Sequence, residues 1–129
     1  MKDNIYKFIN EYVYYCEESI KYKLDIPDIF EFPENSEIKR MLKELRVTDA
    51  DAYTSICRLD KDEVLYEYLK FVLKYYDRKK MLRISSLRLA ELTEIPILTI
   101  RRFENLHHIA SFKMICVMAK TVNLKLNWE

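Results

Sequence analysis

Apolar residues recur at spacings of three and four along most of the chain, the period of a helix that buries one face. Ile5, Phe8, Ile9, Tyr12, Val13, Cys16, Ile20 and Leu24 make the first stripe and predict a helix over 3–24. Tyr6, Tyr14, Tyr15 and Tyr22 flank that stripe, so its apolar arc is wider than a surface helix needs. Such an arc suits a helix packed between two others, or a partner surface. The stretch DIPDIFEFPEN at 25–35 breaks the period, because Pro27 and Pro33 disfavour helix at and before themselves. Its Ile29, Phe30 and Phe32 predict a loop folded back on the core. Ser36 can cap a second helix, with Ile38, Met41, Leu42 and Leu45 in one stripe. Thr48, followed three residues later by Asp51, starts a short third helix carrying Tyr53, Ile56 and Cys57. Asp60 and Glu63 have capping-box spacing and open a long helix to about Lys80, with Leu65, Tyr68, Leu69, Val72 and Tyr76 inward.

From Ser85 to Leu124 the pattern predicts three short helices joined by tight connections. Leu89, Ala90, Ile95, Ile100, Phe103, Phe112, Ile115, Met118, Ala119 and Val122 are expected to share their core. The tail NLKLNWE alternates Leu124, Leu126 and Trp128, the pattern of a short strand or an extended arm. The expected fold is therefore all-α, with about seven helices. Residues 1–60 read as an N-terminal helical region suited to dimerisation or partner binding, and 61–129 as a second helical domain with its tail.

Composition agrees: the 129 residues include no glycine, and hairpin sheets rely on glycine turns. No run reaches the ~18 apolar residues of a membrane span, and the start MKDNIYKF lacks the apolar core of a signal peptide, so the expected location is cytoplasmic. Cys16, Cys57 and Cys116 are odd in number and widely spaced, which argues for burial as small apolar side chains over a disulfide framework or a zinc site. The overall charge of +1 hides a separation. Residues 1–77 hold 12 Lys and Arg against 17 Asp and Glu, whereas residues 78–129 hold 10 against 4. A basic half of this kind faces nucleic acid, or attracts the acidic half.

The order Leu89-Ala90-Glu91, then Thr93 and Ile95, then Thr99-Ile100-Arg101-Arg102-Phe103-Glu104-Asn105 is more specific than amphipathicity. It resembles the helix-turn-helix family of phage repressors and their bacterial relatives, the Cro and lambda-repressor-like class. The family's small residue where its two motif helices touch is matched by Ala90. Its small polar and apolar pair is matched by Thr99 and Ile100, and its arginine, apolar residue and Glu-Asn pair by Arg102, Phe103, Glu104 and Asn105. Ala110, Ser111, Met118 and Ala119 stand at the places of its following helix. Two positions depart from it. The family's turn glycine falls at Glu94 and the glycine ending its recognition helix at Leu106. A third departure bears on function, because the usual glutamine is Ser86 and the base-reading positions are Ile97 and Leu98, although apolar side chains mostly touch only thymine methyl groups.

The resemblance implies a dimeric regulator of transcription bound to double-stranded DNA. Arg101 would face the groove, with Ser86, Ile97, Leu98, Arg102, His107, His108 and Lys113 on DNA or a partner protein. Arg78, Lys79, Lys80, Arg83 and Arg88 would form a basic patch beside them. Alternatively Arg102 pairs with Glu91 or Glu104 and is structural. The competing function is a non-enzymatic protein-interaction module or inhibitor that reuses the fold, as an anti-CRISPR protein or antitoxin does, with Ile97 and Leu98 as contact patch. No enzyme is expected, because there is no glycine-rich phosphate loop and no recognisable nucleophile turn. Adjacent histidines point apart on any regular element, so His107 and His108 are not expected to share a metal, and no cofactor is implied.

Overall fold

The computed structural model describes residues 3–23, 36–59 and 62–124, and the regular elements among them are all helices, with no strand. The elements are α1 (Asp3–Lys23), α2 (Ser36–Thr48), α3 (Ala50–Cys57), α4 (Asp62–Leu82), α5 (Ser86–Thr93), α6 (Ile97–Glu104) and α7 (Phe112–Thr121). The expected folded-back loop at 25–35, the cap at Asp60 and the tail around Trp128 lie outside the described residues.

α4 is the axis of the fold. α1 packs along it through Ile5, Phe8, Ile9, Tyr12, Val13 and Cys16, all buried as their spacing predicts. α2 packs on α1 and α3 on α2, with Met41, Leu45, Ala52 and Ile56 buried, while α5 packs on both α6 and α7. Leu69, Val72 and Tyr75 on α4, with Leu89, Ile100, Phe103 and Met118 from the last three helices and Leu106 and Val122 just beyond the ends of α6 and α7, are all completely buried in the same apolar cluster. That α4 serves α1 on one side and α6 on another explains why Tyr66 and Tyr75 are buried beside the predicted stripe.

Three expectations are corrected. Phe112 is 66% exposed, because it is the first residue of α7 and the inward face of that helix begins at Met114 and continues through Met118 and Val122. Cys57 is exposed and Cys116 half-buried, leaving only Cys16 in the core. The third helix is capped by Asp49, not Thr48: the Asp49 carboxylate accepts the Ala52 N–H at 3.2 Å, while Thr48 ends α2 and donates to the Glu44 carbonyl.

Without glycine, helix ends must be closed by residues with a Cβ. Arg83, Glu94, Leu106 and Asn123 all take positive φ, between 55° and 61°. Arg83, Leu106 and Asn123 each sit in a Schellman closure, in which the following amide reaches back five residues: Ile84 to Lys79, His107 to Arg102, Leu124 to Ala119. Glu94 closes α5 by a single bond to Ala90. Glu94 and Leu106 are the two positions at which the sequence resemblance placed glycine, and the backbone takes the conformation glycine would favour.

Candidate nucleic-acid interface

α5 and α6 are joined by the three residues 94–96. Ser85 starts α5 by accepting the Arg88 N–H at 3.0 Å. At its far end Thr93 Oγ1 donates to the Leu89 carbonyl and accepts the Ile95 N–H at 3.2 Å, which fixes the chain as it enters the turn. Pro96, with φ fixed by its ring, precedes the first turn of α6. Leu89, Ile100 and Phe103 are driven into the core, so the period of α6 leaves Leu98, Arg101 and Arg102 on the outside. Leu98 is 56% exposed and Ile97 only half-buried.

Among the described residues Arg101, Arg102, Lys80, Arg83 and Lys113 are exposed and make no ion pair. Arg102 pairs with neither Glu91 nor Glu104. Arg88 instead takes Glu91, at 2.9 Å with both side chains more than half exposed, and such a surface pair is worth under about 1 kcal/mol. Lys113 follows Ser111, whose hydroxyl accepts the Met114 N–H and caps α7.

Four of the candidates turn inward: Lys79, Ser86, Arg78 and His107. Lys79 places its ammonium 2.7 Å from Glu104 Oε2, with only 16% and 7% of the two side chains exposed. Ser86 joins that pair, its hydroxyl donating to Glu104 Oε1 at 2.6 Å and accepting from Lys79 at 2.5 Å. Arg78 donates to the Val122 carbonyl at 3.1 Å and so closes the end of α7. These residues shape the domain more than they extend its outer charge. His107 and His108 do point apart: His108 is exposed, while His107 turns to Asp49, its Nε2 lying 2.9 and 3.0 Å from the two carboxylate oxygens.

α6 is held in place by phenol contacts from α4 that the apolar pattern does not announce. Tyr68, Tyr75 and Tyr76 project from α4 two turns apart on adjoining rows. Tyr75 donates to Glu104 Oε2 at 2.8 Å, Tyr76 donates to the Glu104 carbonyl, and Tyr68 accepts the Ala110 N–H at 3.1 Å. Burial pushes the Tyr68 phenol up to about 12, against the lowering effect of that N–H. Burial first, and then the Glu104 charge, raise Tyr75 and Tyr76 far above the ordinary phenol value. A row of tyrosines at spacings of seven and eight was the available signal, but it reads equally as apolar stripe.

A groove of about 510 Å³ lies away from this surface, between α1 and α2, with Phe8, Met41 and Leu45 among its walls. Among the described residues no cluster of His, Cys, Asp and Glu could hold a metal ion, and no helix is long and apolar enough to cross a membrane. The chain matches no family model, no curated protein and no solved structure.

Proposed function

We propose that the protein is a DNA-binding regulator of phage-repressor type, acting as a two-fold dimer, with α6 as the helix that enters the major groove. The observation that carries this reading is the exposed pair Arg101 and Arg102 on a short helix held at a three-residue turn from its partner. Arg101 is the base-reading side chain, since a bidentate arginine on guanine contributes about 1–3 kcal/mol of discrimination. Lys80, Arg83, Arg102 and Lys113 supply phosphate contacts, and the exposed Leu98 touches a thymine methyl group. A dimer doubles the contacts of a small module by reading two half-sites one helical turn apart. The left-handed backbone at Glu94 and Leu106 adds support, because it keeps the turn geometry of the family that the sequence resembles.

A second reading, a protein-interaction module, is favoured by Leu98 and Leu92, which are 56% and 50% exposed beside the same turn. A pull-down from lysate with and without nuclease separates the two. Loss of the retained material on nuclease treatment is the outcome expected for DNA binding. A protein partner that survives it favours the second reading.

A further inference from the structure

The contact between His107 and Asp49 ties together two helix termini that are 58 positions apart in sequence. His107 is the residue whose amide closes α6 on the Arg102 carbonyl, at 2.8 Å. Asp49 is the cap of α3, and its backbone N–H also ends α2 by bonding to the Leu45 carbonyl at 2.7 Å. A second bond crosses the same joint, from the Ser55 hydroxyl on α3 to the His107 carbonyl at 2.9 Å. Ser55 is 6% exposed, and the side chains of His107 and Asp49 are 26% and 18% exposed, so water competes only weakly for these groups.

We propose that this joint is a control point through which the N-terminal helices set the pose of α6. Two independent bonds to one residue fix the last turn of α6 against the α2–α3 corner. A displacement of that corner therefore either moves α6 or breaks both bonds. His107 is a positioning residue here, acting on α6 from its closed end and leaving the exposed Arg101 face uncovered. The functional consequence rests on the DNA-binding reading, whereas the mechanical coupling does not.

Amide hydrogen exchange tests the coupling in both directions, since coupling between two sites is reciprocal. His107→Ala keeps the backbone closure of α6 and removes only the ring. It should speed exchange of the Tyr53 amide in the first turn of α3 by ~5-fold or more, leaving the Met118 amide in α7 unchanged. Ser55→Ala should speed exchange of the Asn105 and His107 amides by a similar factor, roughly 5-fold. Asp49→Asn keeps a capping oxygen and reports the joint where an alanine variant does not fold. Changes confined to the substituted helix overturn the proposal. On duplex DNA the same variants should weaken binding several-fold with an unchanged salt dependence, because no phosphate contact is lost, and a shallower dependence overturns the positioning role. If the unaltered protein binds no duplex, the DNA reading fails and the exchange experiment still decides the coupling.

Discussion

Removing the Glu104 carboxylate should be among the most damaging single changes in the protein. Its two oxygens receive Tyr75, Lys79 and Ser86, and its backbone carbonyl receives Tyr76, so one residue joins α4, α5 and α6. Glu104→Ala leaves the Lys79 ammonium, 16% exposed, without its counter-charge and with only the Ser86 hydroxyl as acceptor, and the fully buried Tyr75 without its carboxylate acceptor. Breaking a buried pair by deleting one partner costs about 3–5 kcal/mol, and the residual water access of Lys79 puts this case near the lower end, about 3. That is a large share of the ~5–15 kcal/mol that holds a domain folded. Pairing Lys79→Met with Glu104→Leu removes both charges and should recover about half of the loss or more, because apolar replacements of a buried pair are often tolerated. Urea unfolding followed by circular dichroism measures the cycle of the unaltered protein, Lys79→Met, Glu104→Leu and the pair, with an expected coupling of about 2 kcal/mol. A Glu104→Ala cost below ~1 kcal/mol, or a double variant that costs the sum of the two singles, would refute the reasoning.

Glycine at the left-handed positions should separate backbone strain from packing: Arg83→Gly and Glu94→Gly are expected to raise stability by about 0.5–1 kcal/mol each, since both side chains are exposed. Leu106→Gly should lower it by about 2–4 kcal/mol despite the same φ, because Leu106 is fully buried; thermal unfolding of the three variants checks the contrast. Raised phenol values stabilise the fold below the unfolded phenol value of 10.0, and that contribution is lost as pH climbs through the folded value, about 12 for Tyr68. Stability should accordingly fall from pH 10 upward, and absorbance at 295 nm should show a late group of tyrosines that ionise together with loss of helix.

Helix number and most of the core were legible because burial on one face imposes a period of three to four, as Ile5 through Cys16 demonstrate. The positive φ at Glu94 and Leu106 was not legible from the residue types, and the resemblance only marked both as places where its family has glycine. The α3 cap was misplaced by one residue because Thr48 and Asp49 are both good caps, and only the continuation of α2 through Thr48 decides between them. The inward turn of Lys79, Ser86 and His107 was not legible. Their partners lie 25, 18 and 58 positions away, and a cation near a helix end looks the same in sequence whether it meets a phosphate or a buried carboxylate. Phe112 failed for the opposite reason: an aromatic residue in register with a stripe can still fall before the first inward turn.

Equilibrium binding to a random-sequence duplex pool, read by fluorescence anisotropy between 50 and 200 mM salt and followed by sequencing of the bound fraction, tests the central proposal most directly. The unaltered protein should bind with an affinity that falls steeply with salt and should enrich a two-fold symmetric site. Arg101→Ala should flatten that enrichment at a cost of about 1–3 kcal/mol, while Lys80→Ala should weaken all sequences alike. Absence of duplex binding at low salt, or binding indifferent to salt and to Arg101, would contradict α6 as a DNA-reading helix.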